Sequence, residues 1–158
     1  MDLTFEDLEN KCLDSIKKNN ISTFLHLFPF YQYKLDNYTS STPIIICFRL
    51  LTLLNNDMCM YYQLQETYTT EDPHYEFVFE IEKCLSTGSL NKLNKIASEN
   101  KYPYFKEIIF QIISDFRKEM LEFANNPPQN LPFINDKESA QQTIIDSIFV
   151  IKELSRNY

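Results

Sequence analysis

One glycine in 158 residues, no tryptophan and only two histidines leave little room for several kinds of chemistry. Loops that cradle phosphates and turns that bind dinucleotides need several glycines for close backbone approach, so Gly88 alone excludes those forms. Basic charge is also short. Lys and Arg number 15 against 22 Asp and Glu, a formal charge of -7, and the chain lacks the field that gathers phosphates. Nucleic acid is not an expected partner. Long apolar runs are missing too: Pro43 to Cys47, continuing after Phe48 and Arg49 into Leu50 to Leu54, is interrupted by Arg49 and too short to cross a bilayer. The first residues are acidic rather than basic, so the expectation is a soluble chain with no signal peptide and no membrane partner.

The cysteines Cys12, Cys47, Cys59 and Cys84 form no close pair of the kind a zinc knuckle or redox motif requires. The histidines, His26 and His74, stand far apart, and no HExxH occurs. Neither a metal nor a cofactor is expected, and the thiols read as reduced packing groups. A thiol enzyme is the rival from another class, since a cysteine beside a histidine suffices for nucleophilic catalysis. Cys12 and Cys47, however, fall on the apolar faces of predicted helices, where burial raises a thiol pKa. The acidic pairs Glu71 with Asp72 and Glu80 with Glu82 read as solvated surface charge. No catalytic residue is expected.

What the chain does have is apolar material, 44% of its residues, enough for one domain with a real core. Its periodicity is helical, with almost no sustained alternation. Thr4 with Asp7 forms a capping-box pattern, and Phe5, Leu8, Cys12 and Ile16 follow along one face, predicting a helix from Phe5 to Lys18. After the Asn19–Asn20 turn, Phe24, Leu27, Phe28, Tyr31 and Leu35 line a second helix that Pro29 can kink. Ser41 or Thr42 caps a third helix opened by Pro43, and Met58, Tyr61, Tyr62 and Leu64 face inward from a fourth. Asp72 and Pro73 start a fifth that Gly88 ends in the left-handed conformation, and Ser89 caps a sixth. Pro103 opens a seventh, with Ile108, Ile109, Ile112, Ile113, Phe116 and Met120 turned to the core.

These helices predict an all-α, right-handed solenoid of helical hairpins over residues 1–124, a linker over 125–135 and a C-terminal helix over 136–158. The apolar residues of the last helix, Ile144, Ile145, Ile148, Phe149, Val150, Ile151 and Leu154, cover more than half its circumference. Such a helix folds back onto its own hairpins or enters a bundle supplied by other subunits. Ile144, Ile148, Ile151 and Leu154 are therefore the candidate partner contacts, with Tyr31, Tyr33, Tyr61 and Tyr62 as candidates on the hairpins. A stand-alone helical adaptor that holds a peptide in its groove is a further reading.

Glu82, Leu85, Gly88, Ser89, Asn91 and Lys92 form a pattern that resembles the family of proteasome regulatory-lid subunit twelve, with Leu90 where that family has an aromatic. Without a gap, Phe110 to Met120 resembles the family's next helix, with Arg117 and Glu119 in register as a structural pair or cap. Phe77 and Val78 replace the family's His-Pro. Between Asn125 and Asp136, where the family carries a winged helix that completes its PCI domain, this chain has only a short linker. The resemblance implies a non-catalytic scaffold subunit of the lid, serving ubiquitin-dependent degradation in cytoplasm and nucleus. It implies a hetero-oligomer with other lid subunits, held by the terminal helix and the solenoid surface. Related small subunits occur in the COP9 signalosome and in translation initiation factor three.

Overall fold

The computed structural model describes residues 3–54, 56–126 and 146–154. Its helices begin where short polar side chains satisfy free backbone N–H groups. Thr4 Oγ1 accepts from Asp7 N at 3.2 Å while the Asp7 carboxylate accepts from Thr4 N at 3.1 Å, and this reciprocal cap opens α1 (Phe5–Lys17). The helix stops where Asn19 takes a positive φ of 50°. Asn20 N–H then reaches Ser15 O and Asn19 N–H reaches Ile16 O, the two bonds of a Schellman ending. Asn20 in turn caps α2 (Ile21–Tyr33) by accepting from Thr23 N at 3.1 Å. Pro29 lies inside α2 and has no N–H to offer the Leu25 carbonyl one turn earlier.

α3 (Thr42–Leu53) carries Pro43 in its first turn. Ser41 holds the cap position, with φ -89° and ψ -18°, and makes no side-chain cap bond, while the Thr42 hydroxyl is buried and accepts from Tyr31 OH at 3.1 Å and Thr39 N at 2.9 Å. Thr39 Oγ1 donates onward to the Glu9 carboxylate, so a short polar chain ties the α2–α3 turn to α1. Asp57 caps α4 (Met58–Tyr68) and Asp72 caps α5 (Pro73–Ser86), each accepting a backbone N–H within its first turn. Gly88, φ 68°, ends α5 with the same pair of bonds, Ser89 N–H to Cys84 O and Gly88 N–H to Leu85 O. α6 (Leu90–Ser98) follows; Ser89 holds the cap position but makes no side-chain cap bond. Pro103 opens a 3-10 turn (Pro103–Phe105), not an α-helix, and α7 (Lys106–Asn125) continues from it.

The architecture is all-helical, with no strand among the described residues. Successive helices pack as α1 on α2, α3 on α4 and α5 on α6, while α3 also packs on α1 and α5. α1 further touches the 3-10 turn at Pro103–Phe105, a link from one end of this unit to the other that hairpins contacting only their neighbours do not make. α3 is the hub, burying Ile45, Ile46, Cys47, Phe48, Leu50, Leu51 and Leu53. Phe24 meets Phe48 edge to face at 4.8 Å, and Phe48 meets Phe105 at 6.3 Å.

Some inward assignments are corrected. Tyr62 is 47% exposed and Met58 and Met120 only half-buried, because α4 and the far end of α7 are covered less completely than their apolar spacing suggests. By packing, the chain divides into the units Met1–Ile112 and Ile113–Tyr158, a boundary inside α7 and upstream of the expected linker. Most of that linker, and the expected helix start at Asp136, lie outside the described residues. Residues 146–154 are helical. No described helix is long and apolar enough to cross a membrane.

Candidate functional site

Two kinds of feature are candidates: groups able to do chemistry, and apolar surface left uncovered. Cys12, Cys47 and Cys84 are buried, and burial pushes the Cys12 thiol up to about 12, with the Glu9 charge adding to it. Burial likewise raises Cys47, helped by the Asp72 charge, and raises Cys84. Thiolate is therefore scarce at these positions near neutral pH. Cys59 is exposed, with only a 3.9 Å contact from Gln63.

His74 engages both of its ring nitrogens. Its Nδ1 lies 2.6 Å from Asp72 Oδ1, its Nε2 lies 2.7 Å from the Tyr104 hydroxyl, and its ring stacks on Tyr102 at 4.4 Å. Both ring nitrogens are engaged, so neither is turned to a thiol. Burial raises the Tyr104 hydroxyl to about 12, against activation of this phenol as a nucleophile. Burial also pushes the Asp72 carboxyl upward, but its two bonds to His74 outweigh that and hold it below the ordinary 3.8. The trio, with Phe77 and Phe105 around it, locks the α5 N-terminus to the 3-10 turn. The periodicity analysis missed it. The one signal was the aromatic density of Tyr102, Tyr104 and Phe105 around Pro103, which does not by itself point back to His74.

The motif residues gather at the α5–α6 turn. Gly88 supplies the left-handed backbone, Leu85 and Ser89 the bonds that close α5, and Glu82 accepts from Tyr62 OH at 3.2 Å. Asn91 and Lys92 are exposed on the first turn of α6. Arg117 is half-buried and Glu119 exposed; two residues apart on α7, they point to different sides and are not placed as a pair with each other.

Of the candidate contacts, Tyr31 and Tyr61 are withdrawn, because both are completely buried, Tyr31 with its hydroxyl on Thr42. Tyr33 is 88% exposed and stays. Leu154 is buried by the chain's own atoms, so it is not presented to a partner; Ile151 is half-buried, Ile148 exposed, and Ile144 lies outside the described residues. On the 146–154 helix, Val150, Ile151 and Leu154 share the covered side while Ile148 and Phe149 project from the other, Phe149 at 64% exposure. Leu25 and Phe30 on α2, Met60 and Tyr62 on α4, and Phe110, Leu121 and Phe123 on α7 are also exposed.

A groove of about 350 Å³ lies between α2 and α4 with α3 at its floor, lined by Phe28, Pro29, Gln32, Arg49, Met60, Gln63, Leu64 and Thr67. A second, of about 290 Å³, runs past Glu76, Glu80 and Glu99 beside Lys101. The described residues contain no group of three His, Cys, Asp or Glu arranged to hold a metal ion. The chain matches no protein-family model, no curated protein and no solved structure.

Proposed function

We propose that the chain is a non-catalytic scaffold subunit of the proteasome regulatory lid, working through the contact free energy of apolar side chains that it holds out to other subunits. One observation carries the scaffold reading: Ile148 and Phe149 stand exposed on one helix, and Phe30 and Tyr33 on another, while the buried thiols and His74 are sealed or engaged. Adjacent exposed large apolar groups such as Ile148 and Phe149 form the kind of surface that partners cover. The lid assignment is supported by the resemblance at Glu82 to Lys92 and at Arg117 and Glu119. On this reading the hairpins form the solenoid half of a PCI-type subunit, the terminal helix joins a bundle of subunit tails in a hetero-oligomer, and the site of action is cytoplasm and nucleus.

The test is Ile148→Asp with Phe149→Asp in the full-length chain, expressed in its own cells. Both positions are exposed, so the fold should persist, and the variant should no longer co-migrate with the proteasome in native mass spectrometry. Co-migration as strong as that of the unaltered chain overturns the reading. Co-migration of the unaltered chain with the COP9 signalosome or translation initiation factor three moves the scaffold to that assembly.

A further inference from the structure

Arg49 is the odd residue of the apolar hub helix. It is half-buried, and its acceptors among the described residues are Thr52 Oγ1, 3.2 Å from Nη1, and the weak Met60 Sδ, 3.5 Å from Nη2. Its guanidinium lies over the Phe28 ring at 5.6 Å from the centroid. No carboxylate among the described residues is within ion-pair distance of it. Asp57, the charge that acts on it, already spends a carboxylate oxygen on the Met60 N–H as the α4 cap. Burial accordingly draws the guanidinium below its ordinary 12.5, and it remains a full cation at neutral pH. A guanidinium carries five donors in a planar fork, and here that fork has given up part of its water without gaining an anion.

Its place explains what it lacks. Around Arg49 the groove is lined by the exposed Pro29, Met60, Gln32 and Gln63, over the buried Phe28 and Leu64. Met60 to Thr67 on α4 give it a length of roughly 10 Å at 1.5 Å per helical residue, enough for about three residues of an extended chain. Arginine and methionine are both enriched in protein-recognition cores.

We infer that this groove binds an extended segment of a partner protein in which an Asp or Glu side chain, seated on the Arg49 fork, neighbours an aliphatic or aromatic side chain packed on the exposed Pro29 and Met60. The positive charge of the floor within an acidic protein selects the carboxylate, and the apolar wall selects its neighbour. This contact is separate from the terminal helix and does not require membership of the lid.

The experiment uses the full-length chain and fluorescein-labelled nine-residue peptides centred on Glu-Leu-Phe, Gln-Leu-Phe or phosphoserine-Leu-Phe, read by anisotropy. The Glu peptide should bind, and the Gln peptide should bind at least tenfold more weakly. Arg49→Gln should weaken the Glu peptide by tenfold or more. Gln63→Glu, an exposed change that supplies a carboxylate from the wall itself, should do the same and decides the matter if Arg49→Gln does not fold. Absence of binding, equal binding of Glu and Gln peptides, indifference to both variants, or binding confined to the phosphoserine peptide each overturns the inference.

Discussion

α2 and α3 are almost equally apolar in sequence, yet α3 buries nine of its residues and α2 three. The difference is not composition but neighbours. α3 is packed by α1, α4 and α5, whereas the main partner of α2 is α1, so Leu25, Phe30 and Tyr33 remain in solvent. Hydrophobic residues thus serve two purposes in adjacent helices: cohesion in α3, and on α2 a surface available to other molecules. Arg49 sits where the two purposes meet, on the cohesive helix but open to the groove α2 helps to form.

The contrast breaks most visibly at paired phenylalanines. Phe48→Ala in α3 should cost about 3–5 kcal/mol by urea denaturation, and Phe30→Ala in α2 within about 0.5 kcal/mol; similar losses would dissolve the distinction. The thiols sharpen it. Cys47 on α3 and Cys59 on α4 should differ by at least about a hundredfold in native alkylation rate, because Cys47 must await local opening, and equal rates would contradict its burial.

Cys12 adds a pH dependence. Its folded thiol ionises near 12 and an ordinary thiol at 9.0, so the unfolded chain loses its proton first. Stability should therefore hold below pH 9 and fall as pH rises towards 12, and Cys12→Ala should lessen that slope. Gly88→Ala tests backbone alone, since an added Cβ meets nothing within 4 Å while φ stays at 68°. The expected loss is about 1–2 kcal/mol, with partner binding unchanged. Tyr61 and Tyr75 bury hydroxyls that lack a hydrogen-bond partner among the described residues. Tyr61→Phe and Tyr75→Phe should be neutral or stabilising by about 1 kcal/mol, and a clear loss would mean that those hydroxyls are satisfied in solution.

Helix starts and stops were legible because their causes are local. Thr4 with Asp7, Asp72 with Pro73, and Gly88 each act within a few residues, and all hold the expected positions. Asn19 shows the same, taking the left-handed backbone that ends α1 where a turn was expected. The surfaces were less legible. Tyr31 and Tyr33 are two residues apart on one helix, and spacing could not say which faces inward without knowing where α3 lies. Tyr62 was assigned inward and lies outward for the same reason.

The sequence by itself determined an all-helical chain, the ends of most of its helices and the burial of Cys12 and Cys47, since capping and periodicity act over one or two turns. Only the tertiary structure decided that α3 is the hub, that His74 joins Asp72 to Tyr104, and that Arg49 opens onto a groove without a carboxylate. The Arg49–Met60 and His74–Tyr104 contacts join residues 11 and 30 positions apart, which no local pattern encodes.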